Sequence, residues 1–123
     1  ITSRLVGSEM CIRDRVESNR NKFLTRMRGQ RQKMVVVDIP LLFETGCEVL
    51  CDSIICVWAP EFLQKQRALA RLGMSEKKLN DILSYQLPQK VKMQLADFCL
   101  PTGLGKAYSY KLLKRWLFFS KID

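Results

Sequence analysis

The chain has 123 residues and a formal net charge of +9, so it is one domain at most and favours phosphate-rich partners. It contains no histidine, which removes Ser-His and Cys-His nucleophile systems and the commonest general base. Its five cysteines form no regular framework, and Cys47 and Cys51 lack the second pair or the histidines that a zinc site needs.

No apolar run approaches the ~20 residues of a membrane span, and no secretory signal is recognisable. A reducing cytoplasm is the simplest compartment. Lysine and arginine are spread over several helix-like segments, and basic runs interleaved with aromatics occur only near Tyr108 to Trp116. Nucleotide binding is therefore preferred to nucleic-acid binding, and neither a nucleic acid nor a membrane is expected as a partner.

In chain order, residues 1–15 come first. The run Leu5 to Arg15 resembles translated adapter read-through, so this leader is expected to be foreign to the fold. Residues 17–31 are polar with Phe23, Leu24 and Met27 at helical spacing, predicting an amphipathic helix. The run Met34-Val35-Val36-Val37-Asp38-Ile39 predicts a buried strand of a parallel sheet, ended by Pro40, which cannot donate to a ladder. A loop through Gly46 leads to a second strand over 53–58. Pro60 opens a helix that runs to about Leu72, and Gly73 supplies its stop. Ser75 caps the next helix, although Lys78 leaves the capping box incomplete. A further helix follows Pro88, then a strand over 97–100 and a helix from about Leu104. This alternation predicts an α/β fold with a parallel sheet.

In open α/β sheets, ligands gather beyond the carboxyl ends of the strands, where Asp38 and Glu44 would emerge. An acidic group there suits phosphoryl transfer, where it helps to manage magnesium. Arg67 and Arg71 are four apart and would share one helix face, from which guanidinium forks can grip phosphate oxygens. An ordinary solvated face is the alternative reading.

The segments Asp38-Ile39-Pro40-Leu41-Leu42-Phe43-Glu44 and Arg71-Leu72-Gly73-Met74-Ser75-Glu76, followed by Gln86-Leu87-Pro88, Lys92, Ala96-Asp97-Phe98 and Thr102-Gly103-Leu104-Gly105, stand in a characteristic order. Together they resemble dephospho-coenzyme A kinase, a P-loop kinase family, over about residues 16–115. The resemblance implies a partial P-loop kinase-like three-layer fold with a parallel sheet and a helical lid, the lid spanning about 67–95. It implies that residues 16–123 are the C-terminal part of such a domain. Neither the phosphate loop G-x-x-x-x-G-K-S/T nor the family's Asp-x-Asp element occurs here, and Gly105-Lys106 has Leu100 and Ala107 where a glycine and a hydroxyl belong.

By the same resemblance, Asp38, Arg67 and Arg71 are the candidate catalytic residues. Pro40, Leu41, Leu42, Phe43 and Glu44 line the acceptor, with Glu44 reaching either the acceptor or a lid arginine. Arg67, Arg71, Lys92, Thr102, Gly103 and Gly105 face ATP, and Pro101 stands where relatives often carry an acidic or amide residue. ATP and Mg2+ are the implied cofactors, with no metal ligand assigned. The expected activity is transfer of the ATP γ-phosphoryl to the ribose 3′-hydroxyl of dephospho-CoA, the last step of CoA formation. These 123 residues alone are expected to be inactive. Another small-molecule P-loop kinase, such as a nucleoside monophosphate kinase, and a basic nucleic-acid-binding module are the rival readings.

Overall fold

A computed structural model describes residues 7–120. The described residues divide into two compact units, 7–38 and 39–120. The leader expected over residues 1–15 lies partly outside the described residues.

The first unit is built on one helix, α1 (Gly7–Gly29). It begins well before residue 17, because residues 8–28 contain neither proline nor glycine to interrupt it. Phe23, Leu24 and Met27 are half-buried, as their spacing predicts, and the Arg26 guanidinium lies 5.7 Å from the Phe23 ring centroid. The helix ends as Arg31 enters the left-handed region at φ 55°.

The strand predicted over 34–39 does not form. Its residues join no ladder, and Val36 is 81% exposed. A strand of a parallel sheet must pair its backbone and bury both faces. Among the described residues the only pairing is between two later strands.

Those strands are β1 (Ile55–Trp58) and β2 (Phe98–Pro101), both in the second unit. They run parallel, with Ile55 opposite Phe98 and Trp58 opposite Pro101. Asp97 sets this register at the start: its Oδ2 accepts the Ile54 N–H at 2.7 Å, while its own N–H donates to the Ile54 carbonyl at 2.9 Å. A parallel connection needs a long crossover, supplied here by α2 (Glu61–Leu69), α3 (Glu76–Ser84) and α4 (Gln89–Leu95). Helix α4 packs on β1, and α5 (Lys106–Phe119) packs on β2. Phe98 and Trp116 stack with centroids 5.3 Å apart, tying α5 to the sheet.

Local chemistry explains the helix starts. Pro60 and Pro88 each occupy the N-cap position. Ser75 caps α3 as expected, its hydroxyl accepting the Lys78 N–H at 3.2 Å. Gly73, at φ 80°, turns the chain between α2 and α3. Among the described apolar residues, Ala59, Leu79 and Leu100 are buried, so the core gathers beneath β2, α3 and the end of β1.

Candidate active site

The carboxyl end of the sheet is fastened by one residue. Thr102 donates both its N–H, at 2.9 Å, and its hydroxyl, at 3.1 Å, to the Trp58 carbonyl. Its own carbonyl accepts Arg67 Nη2 at 3.3 Å. Arg67 therefore reaches from α2 to the loop beyond β2, which places a guanidinium at the sheet edge where ligands collect in this fold class.

Arg71 does not share that geometry. Helix α2 stops at Leu69, Ala70 caps it and Arg71 lies in the following turn, so the two arginines do not form an i, i+4 pair on one helix face. At the stop the Arg71 N–H closes onto the Ala68 carbonyl, a tighter i to i−3 bond, ahead of the left-handed Gly73.

The loop Thr102–Gly105 approaches α2 closely. A Cβ on Gly103 would stand 3.3 Å from Leu63 Cδ2 and 3.4 Å from Pro60 Cδ. Gly105 adopts φ 98°, ψ 155° at the entrance to α5. There Ser109 holds the loop by donating its hydroxyl to the Pro101 carbonyl at 2.6 Å.

Pro40, Leu41, Leu42 and Phe43 form a compact turn. Leu41 is left-handed at φ 58°, and its carbonyl accepts the Thr45 N–H at 3.1 Å and the Thr45 hydroxyl at 2.8 Å. Leu41, Leu42 and Phe43 are half-buried, and Pro40 is exposed.

Glu44 closes the turn. Its Oε2 accepts Lys92 Nζ at 2.8 Å and the Leu87 N–H at 3.4 Å, with the two side chains only 11% and 23% exposed. Burial raises the carboxyl pKa, but the Lys92 hydrogen bond and charge, with the backbone N–H groups of Glu44 and Leu87, outweigh it. The carboxylate is held below its ordinary 4.5. Glu44 thus meets a lysine of α4 rather than a lid arginine, and Lys92 turns its ammonium to that carboxylate. Asp38 is exposed and belongs to the first unit.

Two glutamines escape sequence reasoning. Gln89 Oε1 accepts the N–H of buried Ala59 at 3.3 Å, and its Nε2 donates to the Ala59 carbonyl at 3.1 Å. Gln64 Nε2 donates to the same carbonyl at 2.7 Å and contacts Gln89 Oε1. They hold the step from β1 into α2, upstream of Arg67. The one available signal is a glutamine directly after Pro88, at a helix start near a strand end.

Burial pushes the Cys56 thiol up, its ladder neighbour Cys99 adds to the rise and Lys92 opposes it. An open, shallow face of α1 from Asp14 to Arg26 includes none of the expected site residues.

A parallel sheet with helices packed against its strands marks an α/β protein. The family model for dephospho-CoA kinase matches residues 9–104, and the chain belongs to that family. It is 45% identical over 97 residues to the dephospho-CoA kinase of Mesorhizobium japonicum, covering 79% of this chain and 49% of that protein. It is 48% identical over 84 residues to that of Rhodospirillum rubrum, covering 68% and 40%. The corresponding figures for Bartonella quintana are 41% over 102 residues, covering 83% and 52%. The chain spans about half the length of the curated relatives it matches.

Proposed function

We propose that this chain is part of an ATP-dependent kinase acting on dephospho-CoA. The ribose 3′-hydroxyl oxygen would form a bond to the γ-phosphorus as the bond to the ADP oxygen breaks and the hydroxyl proton departs, giving CoA and ADP. The observation that carries this reading is the placement of Arg67 against Thr102 at the carboxyl end of the sheet. Such a transition state spreads negative charge over the transferred group, which a fixed guanidinium can stabilise.

In this reading Arg67, Thr102, Gly103 and Gly105 face ATP, and Arg71 approaches it from the turn after α2. The Pro40–Phe43 turn, which Glu44 closes, lines the acceptor. Among the described residues no three His, Cys, Asp or Glu side chains group to hold a metal ion. Magnesium, which the family resemblance implies, would be held mainly by nucleotide phosphate oxygens and water, as this ion prefers. No helix among the described residues is long and apolar enough to cross a membrane. We read the compartment as the cytoplasm, which the thiols of Cys47, Cys56 and Cys99 support.

The 123 residues lack a phosphate loop, so the purified chain is expected to form no CoA from ATP and dephospho-CoA. The coding sequence upstream should encode a strand followed by G-x-x-x-x-G-K-S/T. The protein extended by it should phosphorylate dephospho-CoA and leave nucleoside monophosphates untouched. Equal turnover of AMP would replace this reading with the nucleotide-kinase alternative.

A further inference from the structure

Glu44 and Lys92 are far apart in sequence and form a mostly buried ion pair that the proposed chemistry does not use. The pair is unlike the exposed Lys65–Glu76 bridge, whose side chains are 57% and 71% exposed and whose separation is 3.6 Å. At 2.8 Å and largely out of water, removing either Glu44 or Lys92 leaves the other uncompensated.

The Glu44 carboxylate also reads the backbone. The Leu87 N–H, 43 positions away in sequence, meets the same oxygen as Lys92. Glu44 is therefore fixed in position as well as in charge. Its anchor is itself fixed, since α4 is fastened to β1 through Gln89 and Ala59. On the other side stands a turn that needs holding, because Leu41 is a non-glycine residue in the left-handed region. Such conformations persist only where the surroundings over-determine them.

We propose that Glu44 and Lys92 are positioning residues: together they clamp the Pro40–Glu44 turn onto α4 and keep its left-handed Leu41 in place, acting through the turn rather than by touching a substrate. The consequence for dephospho-CoA rests on the functional reading above. A released turn would loosen the acceptor side and leave the Arg67–Thr102 contact unchanged.

The test is hydrogen exchange on the 123-residue chain, with Lys92→Met, Glu44→Gln and the double reversal Glu44→Lys with Lys92→Glu. Each single variant should speed exchange at the Thr45 and Cys47 amides by about tenfold or more, while the Thr102 and Asp97 amides keep their protection and report an intact sheet. The double reversal should recover part of the loss, because opposite charges again face each other while a lysine at position 44 cannot accept the Leu87 N–H. Unchanged exchange in the single variants overturns the clamp, as does a double reversal no better protected than either single one. Calorimetric titration with dephospho-CoA runs alongside, with ATP as the comparator, and the single variants should weaken dephospho-CoA alone. If exchange responds and reverses as described but the unmodified chain does not bind dephospho-CoA, the clamp stands and the acceptor reading falls.

Discussion

Gly105 occupies a backbone region, φ 98° and ψ 155°, that residues with a Cβ enter only under strain. Gly105→Ala should therefore cost about 1–3 kcal/mol even though open space surrounds the position. Gly103→Ala is the informative contrast, since it carries no such backbone demand and meets the flexible end of Leu63 at 3.3 Å. Thermal denaturation should show the larger loss for Gly105→Ala, and the opposite order would place the constraint in packing. The Glu44 carboxyl makes a second prediction at this scale. Its folded pKa lies below the unfolded value, so the unfolded chain binds more protons in the interval between them. The stabilisation from Glu44, whose charged partner is Lys92, is complete above the ordinary carboxylate range and disappears as pH falls through the lowered value. Denaturant titrations of the wild-type chain and Glu44→Gln should differ at pH 7 and converge in strong acid.

At the scale of elements, the step from β1 to α2 depends on borrowed hydrogen bonds. Buried Ala59 satisfies both its N–H and its carbonyl with glutamine side chains. Gln89→Ala leaves the Ala59 N–H unpaired and should destabilise the chain by about 1–3 kcal/mol, measurable by urea denaturation. Gln64→Ala should cost less, because Gln89 still donates to the carbonyl.

This arrangement also marks what could be read in advance. Pro60, Ser75 and Pro88 announce α2, α3 and α4 through rules confined to a few neighbouring residues. The runs that became β1 and β2 are apolar enough to be recognised by themselves. The extended run at 34–39 satisfies the same pattern and still forms no strand, since a ladder requires a partner that pattern alone cannot supply. Similarly, the spacing of Arg67 and Arg71 suggests a shared helix face, but the chain leaves the helix at Leu69. The glutamine contacts with Ala59 and the pairing of Glu44 with Lys92 are not legible because each joins distant segments; Glu44 and Lys92 stand out in the sequence only as separate candidates. Their roles emerge only once the crossover has brought α4 onto β1.

For the molecule as a whole, the small core is the governing fact. Among the described residues, three buried apolar side chains and a two-stranded sheet give the second unit little to resist unfolding, and many large side chains, including Phe62, Leu72, Phe118 and Phe119, stand exposed. The Phe98–Trp116 stack is then a disproportionate contributor, because it is the aromatic pair that joins α5 to β2. Trp116→Ala should remove cooperative unfolding at ordinary temperatures, seen as loss of a sigmoidal transition in far-UV circular dichroism, since deleting a large aromatic costs about 3–5 kcal/mol.

A sheet of two strands has an outer side on each, and among the described residues neither side is paired. Every second amide along those rims is an unmet invitation to another polypeptide backbone, and Val57 presents an apolar side chain beside them. Stored concentrated, the chain should accordingly knit copies together rim to rim, with light scattering that grows with concentration and recedes on dilution.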